Sequence, residues 1–136
     1  MELGYRLSKY GFCVVYNSRA ISTTVRPITY DQFCERLIKQ GRSNFVFSQL
    51  HLESEVRAWA EVDDLHKWPL LERVYETLRK SGRDLDSFFR CKQQIGIDSA
   101  EDRSLLHEAY WIAFRASKIK GIADAAKEAD KFVKQR

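Results

Sequence analysis

The sequence predicts a mostly helical α+β domain, with a small N-terminal β-β-α-β unit in residues 1–48 and a bundle of about five helices in residues 49–136. Two short β-prone runs joined by a turn predict a hairpin, and a third β-prone run follows the first helix. After residue 49 the apolar residues recur at helical spacing. A chain of 136 residues is long enough to bury the core of one such domain.

Two β-prone runs near the N-terminus predict the hairpin. Residues 11–16 are rich in β-branched and aromatic side chains, which are typical of a buried strand. Residues 17–20 are typical of a turn, and apolar and polar side chains alternate in residues 21–26 as they do in a strand with one buried face. Pro27 would end this strand because proline has no backbone N–H to donate to a sheet. Residues 44–48, which include Phe-Val-Phe, predict the third strand.

The helix between the second and third strands is predicted from its ends. Thr29 and Gln32 have the spacing of a capping box, in which each side chain accepts a hydrogen bond from the other residue's backbone N–H. Gly41 has the position at which glycine commonly follows the end of a helix, so we expect this helix to stop there. Beyond the third strand, apolar residues at helical spacing predict a further helix over about residues 50–66.

Proline and glycine divide the next stretch into two predicted helices. Pro69 suits the first position of a helix, where its missing N–H leaves no hydrogen bond unmade, and this helix is expected to stop at Gly82. Asp84 can cap a short helix that ends at Gly96.

The helix that we expect at the centre of the bundle is predicted over residues 100–119. It begins at a capping box formed by Ser99 and Asp102. Six of its apolar residues share one face on a 3.6-residue period: Leu105, Leu106, Ala109, Ile112, Ala113 and Ala116. Gly121 is expected to end or kink this helix. A last helix would then bury Ile122, Ala125, Ala126, Ala129 and Val133.

Composition and the absence of targeting patterns bear on the compartment. The sequence is 44% hydrophobic and 31% charged, as expected of a globular domain rather than a disordered chain. Three cysteines without a CxxC pair favour a reducing compartment. We find no signal-peptide pattern and no apolar run long enough to cross a bilayer, so no membrane contact is expected. The expected location is the cytoplasm, or the host cytoplasm or nucleus if the gene is viral.

Charge is distributed unevenly along the chain. Residues 1–47 contain seven Lys and Arg against three Asp and Glu, and residues 103–136 contain eight against four. Residues 48–72 contain two against six. Basic ends can form a surface for a polyanion such as nucleic acid. They can equally pair with the acidic middle, either within the fold or between copies of the chain.

No motif identifies a catalytic chemistry, a metal site or a cofactor. The phosphate-binding, dinucleotide-binding, zinc-protease and serine-hydrolase patterns are absent, and no cofactor is predicted. The carboxylates and the histidine of residues 61–66 could contribute to a divalent-metal site, although their helical spacing favours a solvated helix end. Cys13 and Cys34 are expected in the core. Cys91 would be reactive only if its two basic neighbours approached the thiol.

Trp111 is the sharpest candidate for a binding residue. It projects from the face opposite the apolar stripe, with His107 four residues before it, Arg115 four residues after it and Lys118 close by. An aromatic ring among cations is typical of single-stranded nucleic-acid binders and also of protein-interface hot spots. Alternatively, Trp111 packs in the core. Arg19, at the tip of the predicted hairpin, is a second candidate for contact with phosphates.

We interpret these features as a non-enzymatic protein that binds a protein partner or a second copy of itself, as a regulatory or interaction factor does. The alternative is an RNA- or DNA-binding protein that uses the basic ends and the Trp111 face. A third hypothesis is a small metal-dependent hydrolase or nuclease that uses residues 61–66.

Overall fold

A computed structural model describes residues 2–13, 15, 18–20 and 28–134. This part of the chain contains five α-helices and one 3₁₀ helix. The helices are α1 (Glu2–Ser8), α2 (Tyr30–Leu50), α3 (Ser54–Ala60), the 3₁₀ helix (Val62–Lys67), α4 (Trp68–Gln94) and α5 (Ala100–Lys134). No strand occurs among these residues, so the predicted α+β class is wrong and the fold is a helical bundle.

The predicted third strand is part of a helix, because residues 44–48 lie within α2. Asn44 and Ser48, one helical turn apart, are both buried in the bundle. β-propensity mainly measures how well a side chain packs in its surroundings, so burial of a helical face can override it. Residues 11–13 contain no strand, and the second predicted strand lies outside the described residues.

Two glycines that the sequence predicts as helix ends, and a third that it predicts as an end or a kink, lie inside helices. Gly41 is in α2, Gly82 in α4 and Gly121 in α5, and all three are buried. A Cβ atom built on Gly41 would lie 2.0 Å from the Lys118 carbonyl oxygen, and one built on Gly121 would lie 2.0 Å from the Ile38 carbonyl oxygen. The backbones of α2 and α5 therefore touch where the helices cross, and neither position has room for a side chain.

Gly82 serves a similar purpose between α4 and α2. A Cβ atom built there would lie 2.2 Å from the hydroxyl oxygen of Tyr30, the first residue of α2. Gly82 therefore allows close packing and does not end a helix. The two helices predicted on either side of it are one continuous helix, α4.

Both predicted capping boxes are confirmed. The Thr29 hydroxyl accepts a hydrogen bond from the Gln32 backbone N–H at 3.2 Å, and the Gln32 side chain accepts one from the Thr29 N–H at 3.1 Å. The Ser99 hydroxyl and the Asp102 carboxylate make the equivalent exchange before α5, at 3.1 and 3.0 Å. Each cap satisfies backbone donors that the helix itself leaves unpaired.

α5 packs along α2, α4 and the 3₁₀ helix. Its buried face is made mainly of small and β-branched residues, namely Ala113, Ala116, Ser117, Ile119, Ile122, Ala123 and Ala125. The predicted stripe is wrong nearer the start of α5, where Leu105 and Ile112 are 52% and 49% exposed. α2 begins at Tyr30, which contacts Tyr110, so Leu105 lies more than one turn of α5 before this contact with α2.

The acidic middle of the sequence pairs with both basic ends inside the fold. Four ion pairs join these segments, namely Lys9–Glu53, Arg115–Asp64, Lys118–Glu61 and Lys127–Glu72, at 2.7 to 3.1 Å. The uneven charge distribution thus contributes to packing within one chain. Within the described ranges, no helix is both long enough and apolar enough to cross a bilayer.

Candidate functional site

Trp111 lies on the surface, with 56% of the residue exposed, so the core interpretation of this residue is wrong. It borders a groove of about 490 Å³ on the face shared by α2 and α5. We call this the Trp111 groove. Its lining residues are Phe33, Leu37, Glu61, Trp111, Phe114, Arg115 and Lys118.

Aromatic packing fixes the groove beside Trp111. The rings of Phe33 and Phe114 lie 4.5 Å apart between centroids, and Tyr110 stacks on Phe114 at 5.1 Å. Such ring pairs add about 0.5–1.5 kcal/mol to the stabilisation that comes from buried area. The apolar part of the groove is therefore held in place by contacts within the bundle.

The cations of the groove are held by carboxylates near the 3₁₀ helix. The Arg115 guanidinium lies 5.0 Å from the centroid of the Trp111 ring and donates to Asp64 Oδ2 at 2.8 and 3.2 Å. Lys118 Nζ lies 3.1 Å from Glu61 Oε2. Asp64 therefore holds the Arg115 guanidinium beside the Trp111 ring.

Asp64 is the carboxylate on which this arrangement depends. Burial acts to raise its pKa, but hydrogen bonds from Lys67 and Arg115 outweigh that effect and hold the pKa below the ordinary value. A carboxylate whose pKa is lower in the folded chain contributes stability above the unfolded pKa and loses it as pH falls through the folded pKa.

We expect Asp64→Asn to lower the free energy of unfolding by about 1.5–3 kcal/mol at neutral pH, because hydrogen bonds between charged groups are lost. The difference from the unsubstituted chain should shrink as pH falls below about 4, where Asp64 is protonated first in the unfolded chain, and should be lost below its lower pKa in the folded chain. Urea denaturation of both chains at a series of pH values measures this difference in the free energy of unfolding. A difference that stays constant down to about pH 3 would show that the Asp64 charge has no such role.

Glu61 has a backbone conformation that side chains other than glycine rarely adopt. Its φ is +56°, at the junction of α3 and the 3₁₀ helix. A buried hydrogen bond holds the junction, in which Asn44 Nδ2 donates to the Ala60 carbonyl oxygen at 3.1 Å. Left-handed backbone costs a residue with a Cβ roughly 1–2 kcal/mol, so the fold retains a strained glutamate at the edge of the groove.

We expect Glu61→Gly to raise the free energy of unfolding by about 1 kcal/mol, since glycine relieves the strain and an exposed ion pair contributes little. Glu61→Ala is the matched control, because it removes the same ion pair but keeps the Cβ. It should leave the stability equal to or below that of the unsubstituted chain. If the two variants were equally stable in thermal or urea denaturation, the left-handed backbone at Glu61 would not be strained.

The structure brings together three of the five predicted site residues. Trp111, Arg115 and Lys118 line the groove, whereas His107 is exposed and does not line it. Arg19 is also exposed, in the short described segment 18–20, and does not line the groove either.

Sequence reasoning missed five residues of this site, namely Phe33, Leu37, Glu61, Asp64 and Phe114. Phe33 and Leu37 carried a usable signal, because both lie on the apolar stripe of α2. No local pattern marks Glu61 or Asp64 as partners of α5, since their partners are distant in sequence.

The carboxylates of residues 61–66 pair with separate cations rather than with one another. Asp63 binds Arg57 at 2.8 Å, while Asp64 and Glu61 bind Arg115 and Lys118. Across the described ranges, no three His, Cys, Asp or Glu side chains are grouped so that they could hold a metal ion.

Cysteine placement differs in part from expectation. Cys34 is fully buried, as predicted, but Cys13 is exposed. Cys91 is exposed as well, and its neighbours Arg90 and Lys92 form ion pairs with Asp86 and Asp102. The two cations that might have activated the Cys91 thiol are therefore engaged elsewhere.

No protein-family model, curated protein or solved structure matches the chain.

Proposed function

We propose that this chain is a non-enzymatic interaction protein that binds a protein partner through the Trp111 groove. The observation that carries the proposal is an exposed tryptophan beside an apolar groove, with an arginine held against its ring. Tryptophan and arginine are enriched at the energetic centres of protein interfaces. A side chain that is already ordered loses less conformational entropy when it binds.

The pairing of the groove cations favours a protein partner over nucleic acid. Arg115 and Lys118 are bound to Asp64 and Glu61, so each would have to exchange a carboxylate for a phosphate. Nucleic-acid affinity depends largely on cations that are available to neutralise phosphates. A partner protein whose surface has an apolar centre and charges of both signs could bind the groove while both ion pairs stay intact. A second copy of the chain could be such a partner.

We expect Trp111→Ala to abolish partner capture and to leave the fold intact, because more than half of the residue is exposed. Loss of a central interface residue typically weakens binding by about 2 kcal/mol or more, which is roughly thirtyfold. The unsubstituted chain and the variant would be immobilised in parallel and exposed to extract from the native host. Circular dichroism would verify that the variant is folded.

The matched control is Leu70→Ala, which also removes a large exposed side chain but lies on α4. A protein retained by the unsubstituted chain and by Leu70→Ala, but not by Trp111→Ala, would support the proposal. Identical sets of retained proteins for all three would contradict it. Retention that disappears after nuclease treatment or at high salt would favour the nucleic-acid hypothesis instead. Light scattering during gel filtration would detect self-association.

A further inference from the structure

A second pocket lies where α1 meets the end of α2 and α3. It is a cavity of about 280 Å³ lined by Tyr5, Phe47, Glu55, Val56 and Trp59. Three of these five residues are aromatic, and each of the three comes from a different helix. The pocket shares no lining residue with the Trp111 groove.

The aromatic rings form walls at right angles. Phe47 meets Tyr5 with ring centroids 5.7 Å apart and an interplanar angle of 89°. It meets Trp59 at 5.8 Å and 89° as well. Val56 is 3% exposed, and Glu55 and Trp59 lie one helical turn apart on the same face of α3.

The charge of the pocket is negative. Glu55 is exposed, and its carboxylate has no ion pair or hydrogen bond with any residue in the part of the chain that the structure describes. No lysine or arginine in those ranges lines the pocket. This distinguishes it from the Trp111 groove, where two cations are present.

One ring of the pocket already has a cation as a neighbour. Lys9 Nζ lies 4.6 Å from the centroid of the Tyr5 ring, and Glu53 holds it there at 2.7 Å. Lys9 does not line the pocket, and its charge is paired with that of Glu53. The contact illustrates the attraction between a cation and the electron-rich face of an aromatic ring.

We propose that this pocket binds a methylated ammonium group, as found in trimethyllysine or choline. An aromatic ring attracts a cation placed over its face, and Glu55 supplies the opposite charge. A quaternary ammonium has no N–H to be satisfied, which suits a cavity in which one carboxylate is the only charged group among the described lining residues. A primary ammonium is strongly hydrated and would lose hydrogen bonds to water that the aromatic walls cannot replace.

Choline and its neutral carbon isostere, 3,3-dimethylbutan-1-ol, test the proposal directly, because the two differ mainly in charge. The readout is the indole N–H resonance of Trp59 in nuclear magnetic resonance titrations, assigned with the Trp59→Phe variant. We expect choline to shift this resonance in a saturable way and to bind about tenfold more tightly than the isostere. Equal affinities, or no shift with choline, would overturn the proposal.

Glu55→Gln separates the charge effect from a structural one. We expect it to weaken choline binding several-fold and to leave binding of the neutral isostere unchanged. Glu76→Gln is the control, because Glu76 is an exposed carboxylate on α4 that also forms no ion pair among the described residues. If Glu55→Gln has no more effect on choline binding than Glu76→Gln, the counter-ion role is wrong.

The source of the ammonium group is distinguished with peptides. A short peptide containing trimethyllysine, the same peptide with unmodified lysine, and free choline would be titrated in parallel. Tighter binding of the trimethyllysine peptide would identify a protein side chain as the source, and tighter binding of choline would identify a small molecule. Either result supports the pocket, whereas it is contradicted if neither the trimethyllysine peptide nor choline binds more tightly than the unmodified peptide.

Discussion

Replacing Gly121 with alanine is expected to lower the free energy of unfolding by about 3 kcal/mol, although alanine is the better helix former by about 1 kcal/mol. The added methyl group would lie 2.0 Å from the Ile38 carbonyl oxygen. That oxygen belongs to the backbone of α2, so no side-chain rotation relieves the contact and the two helices must separate. Urea denaturation followed by circular dichroism at a helical wavelength measures the change.

Gly4→Ala is the matched control for this substitution. Gly4 lies in α1, where an added Cβ would meet nothing within 4 Å. Its replacement should leave the stability unchanged or raise it by up to about 1 kcal/mol. Gly41→Ala should behave like Gly121→Ala, because its Cβ would meet the Lys118 carbonyl oxygen. If Gly121→Ala were stabilising, α2 and α5 could not cross at these glycines.

Ile122→Ala is expected to cost about 2–5 kcal/mol, since it removes three buried carbon atoms and leaves a cavity. Ile122 has no exposed surface and packs with Ala60 and Val62, the residues on either side of the strained Glu61. Phe45 and Leu65, which are partly buried, also pack against this cluster. Urea denaturation followed by circular dichroism measures this loss in the free energy of unfolding.

Ile112→Ala provides the comparison, because it is the same chemical change in the same helix. Ile112 is 49% exposed, so its loss should cost no more than about 1 kcal/mol. Similar costs at the two positions would contradict the placement of Ile122 in the core.

Helix beginnings could be predicted from the sequence because their causes are local. The capping boxes at Thr29 and Ser99 involve side chains and backbone groups only three residues apart. Pro69 likewise lies in the first turn of α4, as its missing N–H predicts.

Helix ends at glycine could not be predicted correctly, because glycine occurs both after the end of a helix and inside a helix where another helix packs closely. A glycine after a helix and a glycine at a helix crossing look alike in sequence, and only the partner helix distinguishes them. The sequence predicts helix ends at Gly41 and Gly82 and an end or a kink at Gly121, but all three lie inside helices and pack closely against a neighbouring helix. The predicted helix end at Gly41 also led to the prediction of a strand at residues 44–48, which in fact belong to α2.

The candidate site was predictable only on the α5 side. The helical phase of Trp111, Arg115 and Lys118 relative to the apolar residues indicates a common polar face. Arg115 and Asp64 are 51 residues apart, and no local pattern connects them. The pocket of Tyr5, Phe47 and Trp59 is less accessible still to sequence reasoning, because it takes one ring from each of three helices.

The contact between α2 and α5 also affects how the chain is made. Arg42 and Glu128 pair across this contact although 86 residues separate them. At ordinary translation rates of 5–20 residues per second, α2 leaves the ribosome on the order of ten seconds before the segment it packs against. During that interval the face around Gly41 and Cys34 has no partner from α5, so the nascent chain is expected to be a substrate for chaperones that bind exposed apolar segments.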